Sequence, residues 1–158
     1  MDKLKELKKA YDILKQKYKL PSFKELNEEF DVERIAERET ETLLREIRKV
    51  MMDKIITYLR FTELLLNPSA APLFFLSLLK NLSSEERKVV EKTYTDLGKL
   101  EIDVLDLDIT YSEKREAEFI LYSFKEWQTI KKDLLKISTS LRKSWEKKSQ
   151  KKDRNYLG

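Results

Sequence analysis

Two runs of charge are the residues whose types and spacing could do chemistry. Glu101, Asp103, Asp106 and Asp108 stand close together in EIDVLDLDIT. Arg142, Lys143, Lys147, Lys148, Lys151, Lys152 and Arg154 crowd the C-terminal end, opposed there only by Glu146 and Asp153. Carboxylates are hard oxygen ligands that suit magnesium. Clustered Lys and Arg neutralise phosphates and release counterions, which gives salt-dependent binding without sequence readout.

Neither run is specific. On a helix Asp103 and Asp106 occupy adjacent turns while Asp108 points elsewhere, and the chain has 29 acidic residues from which such a group arises by chance. A solvated face, or a counter-surface for the protein's own basic tail, is the plainer reading. Glu28, Glu29 and Glu33 could supply one half of a carboxylate–magnesium site between facing helices, but their surroundings lack the apolar periodicity that would fix its geometry. No metal or other cofactor is therefore expected. The basic run, RKSWEKKSQKKDRNYLG, has seven bases against two acids, +5 of a chain whose net charge is +4, and leaves the rest close to neutral. Trp145 and Tyr156 could stack on bases, although lysine-rich ends also serve as solubilising tails.

Other chemistries are closed by composition. With no Cys there is no disulfide, zinc–thiolate site or thiol nucleophile. With no His the commonest transition-metal ligand, hydrolytic base and pH switch are missing. Gly98 and Gly158 are the only glycines, so no glycine-rich phosphate loop can form. A Lys/Glu-rich chain without Cys suits a thermophile, and an AT-rich genome gives a similar bias.

The elements that would position these residues read as helices. Leu4, Leu7, Tyr11, Leu14 and Tyr18 form one stripe, stopped by Leu20-Pro21. Ser22 and Glu25 make a capping box for a short helix presenting Phe23, Leu26 and Phe30. The stretch VERIAERETE reads as helical but weakly packed. From about Thr40 to Leu66 the apolar face is broad, with Leu44, Met51, Tyr58 and Leu65 seven apart, which suits a central helix packed on several sides. A second long helix starts at Ser83 with Glu86 as its capping partner, and Gly98 inside it predicts a close crossing or a break. Residues 101–109 fit either a helix or a strand, and the lack of any pairing strand favours helix. Thr110 and Glu113 form a further capping box for a last helix whose seam is Ile120, Trp127, Leu134 and Leu141.

The stretch LLLNPSAAPLFFLSLLKNLSSEE is the apolar exception in a highly charged chain. A membrane span needs about 20 apolar residues in one helix, and Pro68 and Pro72 interrupt a shorter run. It reads instead as a corner: one helix ends at Leu66, and Ser69 caps a short one over 70–82 with Pro72 in its first turn. That helix is apolar all round, so it is buried or covered by a partner. Phe74, Phe75 and Leu78 are the anchors of such a contact.

The expected fold is all-α, a bundle of about six helices, three of them long, with an extended C-terminal helix. One domain spans 1–148, and 149–158 is a disordered basic tail. The expected function is non-catalytic: a cytoplasmic helical protein with no membrane span, acting through a protein partner or self-association. RNA or DNA binding by the basic end is the alternative, and a carboxylate–magnesium enzyme the third.

Overall fold

A computed structural model describes residues 2–156, with the side chains of Lys148 and of 150–156 outside that description. Among the described residues the fold is all-α. Its seven α-helices are α1 (Lys3–Tyr18), α2 (Phe23–Phe30), α3 (Leu43–Leu66), α4 (Leu73–Leu79), α5 (Ser84–Asp103), α6 (Leu105–Ile109) and α7 (Glu113–Tyr156). Two 3-10 turns, Val32–Glu37 and Pro68–Ala70, lie between them. The residues of the expected single domain gather into two compact units, each drawn from two stretches of chain: Met1–Thr57 with Lys99–Trp127, and Tyr58–Gly98 with Gln128–Gly158.

In the first unit, α1 opens on Asp2, whose carboxylate accepts from the Leu4 amide at 3.0 Å. It closes where Lys19 turns left-handed ahead of Pro21. Tyr11 is fully buried and donates its hydroxyl to the Pro21 carbonyl. The Ser22–Glu25 capping box forms with bonds of 2.8 and 3.1 Å, and Phe23, Leu26 and Phe30 of α2 are buried. The stretch after it packs better than its charge suggests, because Val32 and Ile35 are both buried. A 3-10 turn has three residues per turn and stacks i over i+3, so two apolar residues suffice to seat it. Leu44, Ile47, Val50, Met51 and Ile55 of α3 supply the centre of this core, joined by Leu100, Val104, Leu107, Ile120 and Trp127.

Residues 101–109 are helical, broken only between α5 and α6 at Val104. The buried pair Val104 and Leu107 are three apart, which is helical spacing. The expected Thr110–Glu113 cap is not the one used. Thr110 is extended at the end of α6, and Ser112 accepts the Arg115 amide at 3.3 Å to start α7.

In the second unit, Leu65, Leu79, Leu82, Val90 and Ile137 form the core, with Phe61, Leu66, Phe75, Val89, Leu134 and Leu141 packed against it. The Ser83–Glu86 capping box forms with both bonds at 3.1 Å. The corner differs from its expected form. Ser69 bonds to Asn67 at 2.7 Å instead of capping a helix, and Pro72 itself, extended at ψ 154°, is the residue before α4. Helix α4 is correspondingly shorter than 70–82. Gly98 marks neither a crossing nor a break, since a Cβ there would meet nothing within 4 Å and α5 runs through it.

Helix α7 continues to Tyr156, past the boundary at 148 beyond which a disordered tail was expected. Between Ser112 and Gly158 the sequence has neither Pro nor Gly, so no residue ends the helix there.

Candidate functional site

The second unit presents a run of rings that leads from its core to its surface. Phe61 meets Phe75 edge-on at 6.1 Å, Phe75 meets Phe74 at 5.4 Å, and Phe74 meets Trp145 at 5.3 Å. The inner rings, Phe61 and Phe75, are partly buried, but Phe74 is 51% and Trp145 46% exposed, and Leu73 beside them is 85% exposed. Position is imposed by the elements. Phe75 and Leu78 turn inward on α4, so Phe74 faces out. On α7, the buried Ser144 hydroxyl donates to the Leu78 carbonyl at 2.9 Å, which sets Trp145 against Phe74.

Of the anchors expected from sequence, Phe74 is at the surface, Phe75 is half-covered and Leu78 is a core residue. Leu73 and Trp145 complete the surface, and neither was assigned to it from sequence. Trp145 lies four residues after Leu141 and one after Ser144, at the margin of the packed stripe, and that position was the available signal.

Arg142, Lys143, Glu146 and Lys147 are exposed on α7 and Lys80 at the end of α4. Arg142, three residues before Trp145, lies toward its side of the helix, whereas Lys143 and Lys147, each two residues away, lie about 200° round it. Glu86 lies near Lys143. Its carboxyl is held below the ordinary range chiefly by the Ser140 hydroxyl, then by the Ser83 amide, with Lys143 adding to the effect. The side chains of Lys148, Lys151, Lys152 and Arg154 lie outside the described residues.

The first unit holds a buried ionic group that the sequence reading missed. Arg48 is 2% exposed and Glu116 is fully buried. Arg48 Nε and Nη2 donate to the two Glu116 oxygens at 2.8 and 2.9 Å, and Nη1 donates to Asp108 at 2.7 Å. Burial opposes the guanidinium charge, but Glu116 and Asp108 outweigh it and hold Arg48 above its ordinary pKa. Arg45 donates to the Leu107 and Asp108 carbonyls at 3.1 Å each, while its Nε, 3.9 Å from Glu116, makes no hydrogen bond. The signal was present: Arg48 sits four after Leu44 and three before Met51, on the buried stripe of α3. A fork-to-fork pair of this kind fixes orientation, and here it joins α3 to α6 and α7.

The acidic run is accordingly divided. Asp108 serves Arg48, and Asp106 pairs with Arg115 at 3.4 Å. Asp103 is exposed, as are the apolar Ile102, Leu105 and Ile109, the last at 81%. Glu29, from the other acidic cluster, accepts from Trp127 Nε1 at 2.8 Å. Its carbonyl takes the Lys54 ammonium, which lies 5.1 Å from the Trp127 ring and 5.5 Å from Phe30. Glu29, Phe30 and Lys54 line a cleft of about 380 Å³ that also holds the Arg34–Asp53 pair. Among the described residues no three acidic groups gather where they could hold a metal, and no helix is long and apolar enough to cross a membrane.

Compared with known proteins, the chain matches no family model, no curated protein and no solved structure.

Proposed function

We propose that the chain is a non-catalytic protein that works by protein–protein contact, through the surface made by Leu73, Phe74 and Trp145. The observation that carries this reading is the half-exposed Phe74–Trp145 pair, held in place from beneath by the Ser144–Leu78 hydrogen bond. Fixed aromatic anchors at the centre of a small apolar surface, with charge at the rim, are how contact energy concentrates in protein interfaces. Arg142, Lys143 and Lys147, exposed on the same helix, would speed the approach of an acidic partner.

Site-specific photo-crosslinking from position 73 in the native cell tests this. A protein adduct is expected at 73, absent from another exposed position, Lys88 on α5, and lost on Phe74→Glu. No adduct at 73, or equal adducts at both positions, would overturn the reading.

Exposure of Arg142, Lys143 and Lys147 on one helix also supports a second reading, nucleic-acid binding. Fluorescence anisotropy of a labelled RNA should then show affinity that falls steeply with salt and is abolished by charge reversal at those three positions.

A further inference from the structure

We propose that α6 is a hinged lid over the buried arginines of the first unit: it lifts as a piece and lets water reach Arg45 and Arg48, while α3 and α7 stay folded.

The lid is lightly seated. Among the described residues of α6, Leu107 alone is buried, and Leu105 and Ile109 are exposed. Lifting it therefore uncovers little apolar surface beyond Leu107. Both ends can turn. The helix is interrupted at Val104, whose side chain stays anchored in the core, and Thr110 is extended ahead of α7. Hinges are a few residues at the ends of elements that absorb such a change in backbone angle.

What holds the lid down is mostly polar. Asp108 accepts from Arg48 at 2.7 Å, and the Leu107 and Asp108 carbonyls accept from Arg45 at 3.1 Å each. Asp106 meets Arg115 at 3.4 Å in an exposed pair, a kind that adds little. Every one of these groups can exchange its partner for water, which makes the net worth of such bonds modest.

The cations beneath gain from that exchange. Arg48 is held out of water, and taking a charge out of water is costly even when it is paired. The buried Arg45 Nε, which makes no hydrogen bond in the closed lid, would find one. Arg48 does not travel with α6, because Glu116 of α7 keeps its Nε and Nη2. Opening thus gives up the burial of one leucine and restores hydration to two guanidinium groups. That places it far below global unfolding, among the local openings a native protein samples. In the closed lid, acceptors of α6 occupy donors of Arg45 and Arg48 that the open one presents to solvent.

A single introduced thiol tests this, because the chain has no cysteine of its own. Leu107→Cys places one under the lid, and Ile47→Cys places one at a buried position of α3 in the same unit. Circular dichroism checks that both fold, and urea unfolding of each gives the reaction rate expected from global unfolding alone. With a small thiol reagent, position 107 should react at least about a hundredfold faster than position 47, at a rate that low urea barely changes, since a local opening exposes little surface. Adding Asp108→Asn, which weakens the latch and leaves Arg48 its Glu116, should speed reaction at 107 several-fold and leave 47 unchanged. Hydrogen exchange in the native chain gives a second reading should Leu107→Cys fail to fold. The Asp108 and Thr110 amides, bonded to the Val104 and Asp106 carbonyls, should exchange much faster than the mid-helix amides of Met51 and Ile120. Reaction at 107 only at the rate of global unfolding would overturn the proposal. So would four amides that share one rate and one urea dependence.

Discussion

Replacing Glu116 by Leu removes the carboxylate that holds Arg48. The substitution deletes two charge-assisted bonds, of 2.8 and 2.9 Å, and leaves a guanidinium that is 2% exposed with only Asp108 as its anion. Breaking a buried pair by removing one partner costs about 3–5 kcal/mol, because the remaining charge stays desolvated. Removing both charges is a different perturbation. Arg48→Met with Glu116→Leu leaves no orphaned ion at either position, and Arg45 keeps its bonds to the Leu107 and Asp108 carbonyls. Exchanging a buried pair for apolar residues of similar volume is often neutral or stabilising, so the double variant should lie within about 2 kcal/mol of the native chain. The assay is urea unfolding followed by fluorescence in a Trp145→Phe background. That background leaves Trp127, of the first unit, as the only tryptophan. The reasoning is refuted if Glu116→Leu is as stable as the background. It is equally refuted if the double variant loses the sum of the two single losses.

Three further outcomes follow from the same structure. Gly98→Ala should stabilise by up to about 1 kcal/mol, since the glycine is mid-helix with φ in the ordinary range and open space at its Cβ position; the urea midpoint reads this. Ser144→Ala should cost about 1 kcal/mol and shift Trp145 emission to the red in a Trp127→Phe background, as α7 loses its bond to the end of α4. Stability should also fall in acid. Glu113 is lowered chiefly by the Tyr18 hydroxyl, Glu25 by the Ser22 amide and Glu86 by the Ser140 hydroxyl. A carboxylate whose folded pKa is depressed contributes stability above its unfolded value, about 4.3 for Glu, and loses it as pH falls through the folded value. Melting temperatures taken across that range should decline, and Glu113→Gln should flatten the decline.

The helices were legible because their signals are local. Ser22–Glu25 and Ser83–Glu86 are three residues apart, and the stripe from Leu44 to Leu65 repeats every seven, so each can be read without knowing what lies opposite. The failures are long-range or competitive. Thr110 has Glu113 at cap spacing while Ser112 has only Arg115 there, so the local pattern points to Thr110; with Thr110 extended at the end of α6, the Ser112 hydroxyl takes the Arg115 amide instead. Pro72 could stand within a first turn or just before one, and its extended backbone settled the matter. The candidate surface was half-legible. Phe74 could be named, but whether Leu78 or Leu73 accompanied it depended on where α4 began, and Trp145 depended on contacts with a helix some 70 residues away in sequence. Arg48 and Glu116, 68 residues apart, could only be recognised as a pair once both were seen to face inward.

The interleaving of the two units has a consequence for synthesis. Each is assembled from an early stretch and a late one, so neither can close while the chain is still short: the first awaits Trp127, and the second awaits Ile137 and Leu141 beyond it. Domains made of one continuous stretch can fold in turn from the N-terminus as they emerge. Here the broad apolar face of α3 is made well before the α7 residues that help to cover it. The nascent chain therefore carries part of that face uncovered until those residues are made, and ribosome-bound chains halted before residue 127 should be more protease-sensitive than the full chain.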